Sequence, residues 1–291
     1  MYKVFTTWAL AVSGALGLSA CSATIPQYET ISSTAATTST LGGTALRFSL
    51  TGAGDVATSG VTGITGSVTH NTGSISIDDG IYLLVDPNGF DANGQVTDGV
   101  NTGRRIDGAG INPVFSNVYD YVIPFEYSYS NGGTSMSVGG TAGIVTRTAD
   151  VPTAGTAQYT GEAFARTTSS DGLTDFFYFG GISIVDVDFA AGSVDVTMGL
   201  FTDIQQTGTS TVAPIDAISG TGMAIVGASF TGGTWATLKN GVIVNITGAA
   251  SVVAGGNFYG YDASISAPDE VGGVILINGV SGRVYGIYIA D

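Results

Sequence analysis

The sequence predicts an all-β protein: an eight-stranded antiparallel β-barrel preceded by a smaller β-rich domain. Three observations predict it. Of the 291 residues, 45 are glycine and only 11% are charged, while 44% are hydrophobic. That mixture suits pleated, half-buried strands; helices want Ala, Leu, Glu, Lys and Arg in quantity. From residue 42 onward, apolar and polar residues alternate mostly with period two. Asn-Gly, Asp-Gly and Ser-Gly pairs punctuate the runs, as at Asp171-Gly172, Asn240-Gly241, Asn278-Gly279 and Ser281-Gly282. Tight hairpins require such pairs.

The segments follow in chain order. The chain opens MYKVFTTWALAVSGALGLSAC. Lys3 supplies a positive start, and Phe5 to Leu18 form an apolar stretch too short for a convincing membrane span. Leu18-Ser19-Ala20-Cys21 matches the bacterial lipobox, and Cys21 is the only cysteine. Small residues at 19 and 20 fit a narrow protease site, and the thiol accepts a diacylglyceryl group. Residues 1–20 are therefore expected to be a lipoprotein signal peptide, the alternative being an ordinary secretory signal with an incidental cysteine. Ser22, rather than Asp, favours outer-membrane retention by analogy with enteric bacteria. Two or three acyl chains anchor stably, since each buried CH₂ contributes ~0.8 kcal/mol. Residues 21–41 read as the lipidated Cys21 followed by a Ser/Thr-rich tether.

Residues 42–149 read as shorter, less regular strands with a loop-rich stretch from Asp86 to Asn112. Asp150-Val151-Pro152-Thr153 marks a break, because Pro152 lacks the donor for a central ladder. In residues 150–291 the strands lengthen and the turns tighten, which fits a closed barrel with its interior filled by side chains. Ser193 to Leu200 is the cleanest strand, with Val194, Val196, Met198 and Leu200 on one face. Thr156 to Arg166 places Ala157, Tyr159, Gly161, Ala163 and Ala165 together, with Glu162 on the opposite face. Val242, Val244 and Ile246 share a face, as do Tyr285, Ile287 and Ile289 in the last strand. Gly161, Gly180 and Gly286 inside strands predict bends or bulges.

Chemistry is mostly argued against. A net charge of −15 with eight basic residues argues against nucleic-acid binding. His70 is the only histidine, so neither a thiol site nor an imidazole-rich metal site is available, and it reads as a strand-end or loop residue. There is no G-x-S-x-G elbow and no phosphate-binding loop. The expectation is therefore no enzyme, no cofactor and no metal. Asp86 to Gly94 offers oxygens at alternate positions but misses the calcium-loop register, and reads as two polar turns. Asp78-Asp79, Asp186 and Asp188 read as solvated strand-end acids. Tyr119, Tyr121, Phe125, Tyr127 and Tyr129, like Phe177 and Phe179, read as core aromatics, with a protein-binding surface as the alternative.

Three segments of the second half carry a resemblance. Gly155-Thr156-Ala157-Gln158-Tyr159-Thr160-Gly161-Glu162-Ala163 resembles the opening strand of the barrel domain of transferrin-binding protein B. Val187-Asp188-Phe189-Ala190-Ala191-Gly192-Ser193-Val194 resembles a hairpin of that domain. Gly256-Asn257-Phe258-Tyr259-Gly260, followed by Asp269-Glu270-Val271-Gly272-Gly273, resembles its C-terminal signature. Tyr261 stands where family members often have Pro. Gly155, Tyr159, Gly161, Asp188, Phe189, Gly192, Phe258, Tyr259, Gly260, Glu270, Gly272 and Gly273 are thus expected to shape the fold rather than bind a ligand. The resemblance covers about residues 150–291 and implies a handle-like character for residues 42–149. It also implies an outer-membrane, surface-exposed lipoprotein that binds a protein or a metal- or haem-bearing solute and hands it to a membrane transporter. A structural or adhesive surface protein on the same scaffold is the competing expectation.

Overall fold

Alternating burial, strand by strand, builds two antiparallel sheets. The computed structural model describes residues 28–50, 56–99, 101–110, 113–169, 175–207, 214–244, 250–279 and 282–291. The signal peptide and Cys21 lie outside the described residues.

The first sheet is made of β1 (Thr38–Leu50), β2 (Val56–Thr69), β3 (Ser74–Asp78), β4 (Leu83–Asp86), β5 (Gln95–Asp98), β6 (Asn101–Arg105), β7 (Val122–Asn131) and β8 (Thr134–Gly143). Their order is β4-β3-β2-β1-β8-β7-β6-β5. The earliest strand, β1, sits mid-sheet between β2 and β8, with Gly42 opposite Gly143. The two ends of the sheet curl together: Thr97 N donates to Asp86 Oδ2 at 2.9 Å, and Tyr82 Oη donates to Asp98 Oδ2 at 2.9 Å. Leu41, Ile77, Leu84, Val96, Phe125 and Val138 fill the space enclosed. The stretch expected to be a tether runs into this body. Tyr28 and Ile31 pack against its core, and β1 begins at Thr38.

The second sheet is made of β9 (Thr156–Ser169), β10 (Asp175–Asp188), β11 (Ser193–Gly199), β12 (Asp203–Thr207), β13 (Ala217–Val226), β14 (Ser229–Lys239), β15 (Val242–Val244), β16 (Ala250–Tyr259), β17 (Glu270–Gly279) and β18 (Gly282–Ala290). Eight of these close a ring, β9-β10-β11-β13-β14-β16-β17-β18 and back to β9. The expected eight-stranded antiparallel barrel is what forms. β12 and β15 lie outside the ring; among the described residues each pairs on one side only, to the first half of β10 and the end of β14.

The lumen is filled. Tyr178, Met198, Phe230, Phe258, Val271 and Tyr288 are all buried within one cluster. The bulge expected at Gly180 is present: the β9–β10 register shifts between Tyr178 and Gly181. Gly161 and Gly286 instead sit in unbroken register, because strands or side chains crowd them: a Cβ on Gly161 would collide with the Ile289 carbonyl. Leu200 also departs from expectation. The strand ends at Gly199, and Leu200 turns outward in the left-handed region, 75% exposed.

The barrel wall formed by β9, β17 and β18 is buried on both faces. Its outward residues Phe164, Val274, Leu276 and Ile287 pack on Leu46, Phe48, Ile106 and Phe115 of the first sheet and its loops. This two-sided burial explains the unbroken apolar run Val274-Ile275-Leu276-Ile277, which strict alternation would forbid.

Candidate functional site

The seam between the two sheets gathers the acids that the sequence scattered. Glu162 points outward from β9, and Glu270 opens β17. Each carboxylate accepts two backbone N–H groups from one loop, residues 116–121. Ser116 N and Asn117 N reach Glu162 at 2.8 Å each. Asp120 N and Tyr121 N reach Glu270 at 2.6 and 2.9 Å. The Tyr119 hydroxyl donates to Glu162 at 3.5 Å. Glu162 and Glu270 of the barrel thus hold the loop that precedes β7 at four of its backbone N–H groups. Burial pushes the Glu270 carboxyl up to about 8, against the pull of the two N–H groups, with Asp269 and Asp120 adding to the rise.

Beside this clamp lies a cleft of about 250 Å³, lined by Asn117, Val118, Tyr119, Asp120, Asp269, Glu270 and Asp291. Its polar wall is acidic and its carboxylates are partly committed to structure. Among the described residues, no group of three or more His, Cys, Asp or Glu side chains is placed to hold a metal ion.

The motif residues lie along the same seam and at the adjoining end of the barrel. Tyr159 donates from the lumen to the Pro268 carbonyl at 3.0 Å. Tyr259 is fully buried, and its hydroxyl lies 3.0 Å from Thr141 Oγ1 of the first sheet. Gly260 has φ 59°, and a Cβ there would strike the ring of Tyr121. Gly273 lies against the Gly255 carbonyl, 2.8 Å from Gly256 Cα measured from the position a Cβ would take. Gly272 is its neighbour in the β16–β17 ladder. Asp188 closes the β10–β11 turn by accepting Ala191 N at 2.8 Å, with Gly192 at φ 67° and Phe189 buried beneath. Gly155 has φ 86° immediately before β9, and Phe258 sits in the lumen.

The other candidates resolve individually. Asp86 and Asp91 each cap a turn: Asn88 N lies 2.8 Å from Asp86 Oδ1, and Asn93 N and Gln95 N lie 2.8 Å from Asp91 Oδ1. Asp186 is exposed and takes a bond from Gln158 Nε2 at 2.6 Å. Asp79, expected to be solvated, is instead buried. It pairs with Arg47 at 3.1 Å and accepts Ile81 N and Tyr82 N at 2.9 Å and the Tyr129 hydroxyl at 3.2 Å. The curl of β4 toward β5 encloses it, which a two-residue acidic pair in sequence does not reveal. Burial raises its carboxyl, but the Tyr82 and Ile81 amides and Arg47 outweigh that and hold it below the usual range.

His70 follows β2 and is 94% enclosed, its Nε2 2.8 Å from Ser39 Oγ. Phe125, Tyr127 and Tyr129 are core residues, as expected, and Tyr119 is buried at the seam. Phe177 and Phe179 half-bury on the shared wall. Sequence reasoning missed Glu162 and Tyr28 as structural anchors. The only signal was a lone acid among Thr and Gln on the outward face of β9.

No family model matches the sequence, and no curated protein matches it. Solved structures are similar at low identity. A point mutant of transferrin-binding protein B from Haemophilus parasuis Hp5 is 17% identical, covering 85% of this chain and 44% of that one, with a TM-score of 0.48. Isotype 1 transferrin-binding protein B from serogroup B Neisseria meningitidis is 16% identical, covering 86% and 43%, with a TM-score of 0.49. The N-lobe of lactoferrin-binding protein B from Moraxella bovis is 13% identical, covering 60% and 77%, with a TM-score of 0.33. The chain spans less than half the length of the first two. The proteins that the three motifs resemble are thus among those the structure is similar to.

Proposed function

We propose that this chain is a bacterial lipoprotein, anchored through acyl chains on Cys21 in the outer membrane and exposed at the cell surface. It acts without catalysis, capturing a protein or a metal- or haem-bearing ligand on its outer surface and passing it to a membrane transporter. The observation that carries the binding role is the filled barrel: with Tyr178, Phe230, Phe258 and Tyr288 occupying the lumen, a ligand must be met from outside. The lipobox around the single cysteine supports the anchor. The three motifs support the kinship, with residues 42–149 as the handle and 150–291 as the barrel domain. Outer surface is available at the strand ends, where Ile204, Val242, Ile243, Val252 and Val253 are exposed. The one-sided pairing of β12 and β15 among the described residues favours the adhesive reading, since such edges invite strand addition.

The test is labelling with a radioactive fatty acid in a Gram-negative host, wild type against Cys21→Ser, followed by protease treatment of intact cells. The proposal expects label on the wild type alone and digestion without lysis. Label on the variant removes the anchor; protection in intact cells removes the surface location. A pull-down with the soluble body then separates iron- or haem-carrying partners from matrix polysaccharide.

A further inference from the structure

The chain between the anchor and the body is short, and the body fixes where it begins. We infer that the end of the barrel bearing the 189–192, 227–228 and 260–269 turns faces the lipid bilayer that holds Cys21, with the opposite end, which bears the 240–241 turn, directed away. This rests on the proposed lipidation and adds the membrane-facing surface to it.

The first described residue, Tyr28, is tied down from several sides. Its hydroxyl donates to Asp150 Oδ2 at 2.6 Å and accepts Arg147 N at 2.7 Å. The Arg147 guanidinium sits 5.0 Å over its ring while pairing with Asp150 at 2.6 Å. The ring stacks on Tyr261 with centroids 6.3 Å apart. Three residues on, Ile31 N donates to the Asp120 carbonyl at 2.7 Å. Arg147 and Asp150 belong to the link between β8 and β9, and Tyr261 to the turn after β16. All of them lie at one end of the barrel, where Phe189 N meets the Gly155 carbonyl and Gly260 N the Ile144 carbonyl.

Six residues separate Cys21 from Tyr28. Fully extended, the seven Cα steps reach at most about 25 Å, whatever conformation they adopt. β10 runs 14 residues from the opposite end to this one, about 45 Å along the strand at ~3.3 Å per residue. Barrel strands tilt by roughly 40°, so this is about 35 Å along the barrel axis, still longer than the leash. The near end stays within reach of the headgroups, and the opposite end, with exposed Val242 and Ile243, cannot take its place without releasing Tyr28. Free capture surface is thereby the end that carries the apolar strand tips.

The single native cysteine makes the test clean, because acylation consumes it and any introduced cysteine is the only thiol. The full acylated chain is reconstituted in phosphatidylethanolamine–phosphatidylglycerol vesicles carrying an energy-acceptor dye on the headgroups. A donor dye is placed on Ala190→Cys or Ala263→Cys at the near end, or on Val242→Cys at the far end. The inference expects loss of most donor emission at the two near positions and little loss at Val242→Cys. A second chain carries about twenty Gly/Ser residues between Gln27 and Tyr28, a leash whose reach no longer discriminates; there the near–far difference should shrink markedly. Equal transfer at all three positions, stronger transfer at Val242→Cys, or a difference untouched by the longer leash overturns the orientation. Failure of the wild-type chain to float with vesicles overturns the anchor itself, and is read separately from the dye signals.

Discussion

Replacing Glu270 by Gln tests how the seam is held. The wild-type carboxyl is 3% exposed and accepts Asp120 N and Tyr121 N at 2.6 and 2.9 Å. Burial lifts it from an ordinary 4.5 to about 8. A group raised in the folded state stabilises fully below its unfolded value, and that contribution is lost as pH rises through the folded value. Wild-type stability should therefore decline between about pH 4.5 and 8 and level off above. At about 1.4 kcal/mol per pH unit, the loss is at most about 5 kcal/mol. Glutamine abolishes this titration but turns one donor toward an N–H group, which costs about 1–3 kcal/mol at every pH. The two stability curves should cross between about pH 5 and 7, wild type above at acid pH and Glu270→Gln above at alkaline pH. Below pH 4 both should fall, since Asp79 and Asp150 are held below the ordinary carboxyl range and lose their contribution on protonation. The assay is urea unfolding followed by circular dichroism at pH 5, 7 and 9, with constant m-values. Parallel curves, with the variant keeping the wild-type slope, would refute the assignment of this pH dependence to Glu270.

Other expectations follow from the same geometry. Gly260→Ala must force a Cβ into the Tyr121 ring from a left-handed backbone, and should cost about 2–4 kcal/mol; an unchanged urea midpoint would contradict it. His70→Ala should cost about 1 kcal/mol for the lost Ser39 bond and leave ligand capture intact. Haem titration should then show no Soret shift for either chain, whereas a shift in wild type alone would make His70 a ligand. Residues 150–291 expressed alone should give a β-type spectrum and cooperative unfolding. They should also self-associate or bind an apolar dye, because Phe164, Val274, Leu276 and Ile287 lose their cover. A monodisperse fragment without dye binding would argue that this wall is not a shared core. Glu162→Ala should free loop 116–121, read as faster amide exchange at Ser116 and Asn117; unchanged protection would show that the clamp is incidental.

The sequence by itself determined the class, the barrel and most of its inner face. Period-two patterning places Tyr159, Val194, Val196 and Met198 correctly, because one face of each strand is buried whatever its neighbours are. Turn chemistry is equally local: Gly192 and the Asn240-Gly241 pair specify their hairpins without reference to anything distant. The proposed anchor at Cys21, too, rests on a local motif. What only the tertiary structure decided is the outward face. Tyr285, Ile287 and Ile289 alternate as a strand should, but nothing local says that this face covers the first sheet while Val242 and Ile243 remain in water. The same holds for charge. Glu162, Glu270 and Asp79 look like any other strand acids in sequence. Their roles come from backbone N–H groups brought to them by loops 45 to 150 residues away, or, for Asp79, from a curled sheet end and Arg47. Closing such long-range contacts is a property of sheet order, with β1 paired to β8 and β18 to β9, and sheet order is not written in any window of the chain.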